Sequence, residues 1–207
     1  MKRRLLTLML LLLTVIGAGA AKKATNAAEA RRVFDKVYDM VFGPEGCSLH
    51  YDVNIASLYK TNGTIWYKGK KQRFTDERVD TWNDGKTAYM VYRKKKTIEI
   101  HDAQSDKKDK YSGKFKFSPD DFNYSMERTS EDIIITMKQR KDAKGTVKEA
   151  KATIDAKTFS PKHIKVKVAF FWANIWISNF KAGGITDNIF VFPRSRYGSD
   201  YKYVDKR

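Results

Sequence analysis

The sequence predicts a mostly β protein with one N-terminal helix, and three observations carry that prediction. Apolar residues recur at every second position through most of the chain. Turn signals such as Asp84-Gly85 separate those runs. A single stretch, following Asn26, repeats with the period of a helix instead. The 207 residues suit one domain, and 42% apolar with 13% aromatic content can fill a core, which excludes wholesale disorder. One cysteine cannot staple the chain to itself, so a disulfide scaffold is excluded.

Residues 1–20 have the make-up of a signal peptide. Lys2, Arg3 and Arg4 form a positive start, Leu5 to Ile16 is apolar but for Thr7 and Thr14, and Ala18-Gly19-Ala20 offers small residues for cleavage after Ala20. The apolar run falls short of the roughly 18 to 20 residues that cross a bilayer. No cysteine follows it, so the chain is not expected to be a lipoprotein itself. The expected product, residues 21–207, is one exported domain with no internal repeat, linker or charge break.

Asn26 is a candidate cap for a helix whose apolar face is Ala30, Val33, Phe34, Val37 and Val41, ended by Gly43-Pro44. Strands follow. Leu49, Tyr51, Val53 and Ile55 alternate with polar residues, as do Ile65 and Tyr67, then Ala88, Met90 and Tyr92, then Ile98 and Ile100. The same period runs through Ile133, Ile135 and Met137, through Ala150, Ala152 and Ile154, and through Ile164, Val166, Val168 and Phe170. Ile175, Ile177, Phe190 and Phe192 complete the set. One apolar and one polar face per strand indicate a large curved antiparallel sheet. Its apolar face needs a cover. The first helix covers part, and Ser118-Pro119-Asp120-Asp121-Phe122 predicts a short helical turn capped by Ser118. Neither shields roughly ten strands, so either the barrel closes on its own side chains or a cavity remains.

Signal-peptide removal takes three of the 41 basic residues and leaves a net charge of +14. The basic clusters fall at turns and strand edges: Lys68 with Lys70, Lys71 and Arg73; Arg93 to Lys96; Lys107, Lys108 and Lys110; Lys138 with Arg140, Lys141 and Lys144. That spacing fits a solvated rim rather than one nucleic-acid groove. Edge lysines also discourage sheet-to-sheet aggregation; plain solubility accounts for the charge first, and since an exported chain meets anionic head groups more often than nucleic acid, weak attraction to a membrane surface is the next reading. His50, His101 and His163 are scattered with no pair at a ligand spacing, which gives no metal site. There is no Gly-x-Ser-x-Gly, phosphate loop or triad order, so no enzyme is expected.

The stretch Gly63-Thr64-Ile65-Trp66-Tyr67-Lys68 followed by Phe74, Asn83-Asp84-Gly85-Lys86-Thr87 leading to Tyr92, and Ile154-Asp155-Ala156-Lys157-Thr158 running through Pro161 to Ile164 stand in a fixed order. With the ending Asp187-Asn188-Ile189-Phe190-Val191-Phe192-Pro193, then Val204-Asp205 and Arg207, they resemble the periplasmic outer-membrane lipoprotein carrier (LolA-like) family over nearly the whole mature chain. The resemblance implies an unclosed antiparallel half-barrel of about ten or eleven strands, with the N-terminal helix and a short helical lid over its concave apolar face. It implies a periplasmic monomer without cofactor that takes acylated lipoproteins from an inner-membrane lipoprotein-releasing transporter and gives them to an outer-membrane acceptor. The alternative on the same fold is an envelope module that binds or senses lipids or lipoproteins without transporting them.

Candidate residues for an acyl-chain cavity are Tyr51, Tyr67, Phe74, Met90, Tyr92, Phe122, Ile135 and Met137. Trp66 shares a strand face with Thr64 and Lys68, which puts it outside, and the family reading makes Trp66 and Lys70 candidates for lid or partner docking. Two departures from the family stand out. Its usual Arg-Pro pair after the Trp-containing strand, whose Arg fastens the lid, is here Gly69-Lys70, and a lysine lacks the planar fork for that bond. The lid insert is also short, with only Ser118 to Tyr124 between Ile100 and Ile133.

Overall fold

A computed structural model of the protein describes residues 26–55, 59–105, 117–168 and 170–207. The expected signal peptide and the Lys107-Lys108-Lys110 cluster lie outside the described residues. The chain forms helix α1 (residues 26–42) and one sheet of twelve strands. In chain order these are β1 (Cys47–Ile55), β2 (Tyr59–Lys68), β3 (Lys71–Asp76), β4 (Val79–Asn83), β5 (Thr87–Tyr92) and β6 (Thr97–Asp102). Then come β7 (Phe122–Arg128), β8 (Asp132–Gln139), β9 (Val147–Asp155), β10 (Pro161–Val168), β11 (Phe171–Ala182) and β12 (Lys202–Asp205).

Their order across the sheet is β12-β6-β5-β4-β3-β2-β1-β11-β10-β9-β8-β7. Two antiparallel meanders, β1 to β6 and β7 to β11, join where β1 pairs with β11. β12 adds in parallel to β6. The sheet keeps two free edges and is an unclosed half-barrel, with more strands than the ten or eleven expected. The additional elements are short: β4 carries only Val79 and Trp82 as large apolar residues, and β12 spans four residues, so neither shows a clear period in sequence.

Curvature has local causes. The β1/β11 register slips between Ser48 and His50, opposite Asn179 at φ 52°, and the β9/β10 register slips between Pro161 and His163. Such bulges bend the bulged strand and increase its twist. Gly69 at φ 56° takes the first central position of the two-residue β2–β3 loop, and its N–H donates to the Gly43 carbonyl at 3.0 Å, tying that hairpin to the end of α1.

Helix α1 crosses the concave face obliquely. Ala30, Val33 and Val37 are buried against Phe122, Tyr124, Ile133, Ile135 and Met137 of β7 and β8, while Val41 reaches the separate cluster of Cys47, Leu49, Tyr51 and Ile65. Asn26 departs from its expected capping role. Its side-chain N–H donates to the Met126 carbonyl at 2.9 Å, and its Oδ1 accepts from the Met126 N–H at 2.8 Å. The amide thus satisfies backbone groups on the edge strand β7, which otherwise invites pairing with another chain.

Three further expectations change. Pro119–Asp121 is one 3-10 turn, and Ser118 makes no side-chain cap bond there; the backbone runs straight into β7 because Phe122 is drawn into the core at 6% exposure. The alternation that placed Phe170 in a strand stops at Val168, and Phe170 stands in the hairpin turn. Phe190 and Phe192 are not in a strand. Phe190 ends the 3-10 turn Asp187–Phe190, and Phe192 stacks on Tyr89 at 4.2 Å and on Tyr197 at 5.3 Å. The C-terminal tail thereby covers the convex face around Trp82, Val91 and Ile98.

Candidate functional site

Between α1 and the sheet lies a cavity of about 620 Å³. Its existence follows from where the helix runs. The N-terminal half of α1 packs tightly on β7 to β9, but one helix cannot also fill the trough over β10, β11 and β1 to β3. Leu49, Tyr51, Ile65, Tyr67 and Phe74 form one wall of that trough. The other is built from Ile164, Val166, Ile175 and Ile177, with Met137, Ala150 and Ala152 deeper along the sheet. Phe34, Val37, Tyr38, Val41 and Phe42 of the helix roof it, joined by Phe117.

The roof is an aromatic rail with one ring per helical turn. Phe34 to Tyr38 is 5.8 Å between centroids, Tyr38 to Phe42 is 4.7 Å, and Phe42 meets Tyr67 of β2 edge-on at 4.8 Å. Phe117 adds to it at 6.1 Å from Phe34. Tyr38, Phe42 and Phe117 line the cavity and are also more than a third exposed, so they mark its mouth. On the sheet side, Tyr51 stacks on Phe74 at 5.7 Å. Its ring has room because Gly63 faces it in the β1/β2 register; a Cβ at Gly63 would lie 2.6 Å from the Tyr51 hydroxyl and 2.2 Å from the Thr75 carbonyl oxygen.

Among the described residues lining the cavity none is ionised at neutral pH. Gln72 is the lone carboxamide, and burial pushes the Tyr67 phenol above its ordinary value, so it stays protonated. A lining of this kind suits a hydrocarbon group, and its described residues present no set of side chains arranged for acid-base or nucleophilic chemistry. Cys47 is buried beneath it, its thiol pushed up to about 11 by burial, with Sγ 3.5 Å from the Val41 carbonyl.

Of the residues singled out in sequence, Tyr51, Tyr67, Phe74 and Met137 line the cavity. Phe122 and Ile135 sit in the packed cluster under the N-terminal half of α1, where the helix leaves no void. Met90 and Tyr92 lie on the same sheet face by register, Phe74 facing Thr81 and Thr81 facing Met90, but beyond β3 that face turns polar with Thr81, Glu99 and His101. Trp66 is on the convex face, where the Arg73 guanidinium lies 4.8 Å over its ring. Lys70 is exposed at the β2–β3 turn.

The cavity candidates read from sequence omitted the helix residues Phe34, Tyr38 and Phe42 and the small strand residues Ala150 and Ala152, all of which line it. The spacing Phe34-Tyr38-Phe42 is a stripe of rings four residues apart, and Ala150 with Ala152 puts two small side chains where larger ones would fill the trough. Both signals were present.

The fold is an open half-barrel with an obliquely laid helix over an uncharged trough. The sequence model of the family described as outer membrane lipoprotein carrier protein LolA matches residues 20–169, and the chain belongs to that family. Among solved structures the chain is similar to an uncharacterized conserved protein from Thermus thermophilus, at 11% identity and a TM-score of 0.56, covering 86% of this chain and 99% of that one; the two share a fold. It is also similar to a LolA superfamily protein from Nitrosomonas europaea, at 8% identity and a TM-score of 0.38, with 79% and 97% covered. The lipoprotein LppX from Mycobacterium tuberculosis follows at 10% identity and 0.43, with 77% and 97% covered. No curated protein sequence matches the chain.

Proposed function

We propose that the protein is a periplasmic carrier that hides the acyl chains of lipoproteins in this cavity and shuttles them from the inner to the outer membrane. Residues 1–20 serve as the signal peptide, and residues 21–207 are the single carrier domain. An inner-membrane transporter supplies the cargo and an outer-membrane acceptor removes it. Family membership supports this reading, and the observation that carries it is the uncharged cavity of about 620 Å³ with aromatic side chains at its mouth.

The energetics suit a carrier. Each methylene taken from water contributes about 0.8 kcal/mol, so a sixteen-carbon chain contributes on the order of 12 kcal/mol. Release needs an offset. Met137 and the rings of Phe34, Tyr38 and Phe42 can turn into the emptied space and recover part of that burial without backbone movement. No bond to the cargo has to be broken.

The test is twofold. Purified protein should bind a fluorescent fatty-acid probe, and on incubation with lipoprotein-bearing membranes it should carry lipoprotein into a soluble complex. Probe binding without lipoprotein release would identify a lipid-binding module that does not transport. Failure of both removes the proposal.

A further inference from the structure

Among the described residues, the two ends of the half-barrel differ in charge. One end carries the β3–β4 turn, the β5–β6 loop, the β8–β9 loop and the β10–β11 turn, because β3, β5, β8 and β10 run towards it and β4, β6, β9 and β11 run away from it; exposed Glu77 stands there, beside Arg78, which pairs with Asp76. Some cations there are already paired: Arg93 with Asp80, Lys96 with Asp200 at 2.8 Å, and Arg140 with Asp142 at 3.0 Å. Lys94, Lys95, Lys141 and Lys144 are exposed and have no carboxylate partner among the described residues. The opposite end mixes exposed Glu45, Asp84, Asp102 and Glu131 with Lys70, Lys86 and Lys157.

A large apolar side chain protrudes from the basic end. Phe170, at the β10–β11 turn, is 90% exposed, and its ring contact among the described residues is Phe171 at 5.8 Å. Just behind it on the convex face, Trp172 lies between the ammonium groups of Lys165 at 5.6 Å and Lys167 at 5.8 Å. Trp176, 46% exposed, stacks on His163 at 5.0 Å.

We infer that this basic end, with Phe170 at its tip, docks the protein on a bilayer surface bearing anionic lipid head groups. A projecting ring with tryptophan and lysine behind it suits the boundary between head groups and acyl chains, where aromatic bodies insert and cations remain with the phosphates. A protein partner of the usual kind would need a broad complementary face of roughly 800 Å² on this side, whereas the tip offers one ring on a convex turn. Phe170 does not line the cavity, so this docking is independent of the carrier reading and each can fail alone.

The experiment is co-sedimentation of the purified protein with vesicles of phosphatidylcholine alone and of phosphatidylcholine mixed with an equal part of phosphatidylglycerol. Binding is expected to the anionic vesicles only and to fall between about 0.1 M and about 1 M salt, as screening shortens the reach of the charges. Phe170→Ala should lower the partition coefficient about tenfold, the loss from no longer burying one phenyl ring. Replacing Lys94, Lys95 and Lys141 together by glutamate should remove the salt-dependent part. Both variants should keep the wild-type melting temperature and probe affinity, since the altered side chains are exposed and outside the cavity. Equal binding to neutral vesicles, or anionic-vesicle binding unchanged in Phe170→Ala, would overturn the inference. So would a folded protein that sediments with neither vesicle, which is the outcome expected if the basic end recognises an acidic protein instead.

Discussion

Met137→Glu tests the cavity directly. Met137 is 4% exposed, points from β8 into the trough, and faces Ala150 across the sheet. In the empty cavity a carboxylate there is hydrated by water entering at the mouth. An acyl chain expels that water, and the carboxylate must then be desolvated or protonated. Protonation of an ordinary glutamic acid, with pKa about 4.3, costs about 4 kcal/mol at pH 7 and sets the ceiling on the loss. Probe affinity should therefore fall by up to about a thousandfold at pH 7. The sign with pH is fixed: the loaded form has the raised pKa and takes up a proton, so affinity should recover as pH falls from 7 towards about 4. The described lining residues of the wild type include none with a carboxylate or imidazole, and its affinity should stay level. Met137→Leu should bind nearly as the parent does. Fluorescence titration at several pH values, with circular dichroism to confirm folding, reads all of this. A folded Met137→Glu protein with wild-type affinity at pH 7 refutes the assigned wall. The same change at Ile135, fully buried in the packed cluster, should instead unfold the protein.

Gly63→Ala should destabilise the protein by about 1 to 3 kcal/mol in urea unfolding and weaken probe binding, because the new methyl displaces the Tyr51 ring that lines the cavity. Asp155 accepts from the backbone N–H groups of Thr158 and Lys157 and pairs with Lys162 at 2.9 Å, which holds its carboxyl far below the usual carboxylate range. Its stabilisation is present above the unfolded value of about 3.9 and is lost as pH falls below it. Thermal melts should show Asp155→Asn closing the gap to wild type as pH drops through about 4. Cys47, buried and with its thiol raised to about 11, should resist a maleimide reagent at neutral pH in the folded protein and react once denatured; fast native labelling would contradict its placement.

Much of the fold was legible in the sequence because each strand has one wet face and one dry face. Leu49-x-Tyr51-x-Val53 can satisfy both only as an extended chain, and Ala30, Val33 and Val37 only as a helix. The edges were less legible. Phe170 continues the alternation of β10 yet stands in water, since pattern alone does not say where a strand turns. Phe190 is 1% exposed without belonging to any strand, because the tail has to cross the sheet before it can be buried.

By itself the sequence determined that a large amphipathic sheet had to be covered and that one helix was available to cover it. It also held the motifs that resemble the carrier family. Tertiary structure alone decided where the empty volume lies. Ile135 and Met137 occupy one face of one strand, and one is solid core while the other borders a hollow. The difference is the path of α1, which presses on β7 and β8 and then lifts towards β1. A void is set by side chains arriving from opposite sides of the trough, and the distance between those sides belongs to no single stretch of chain.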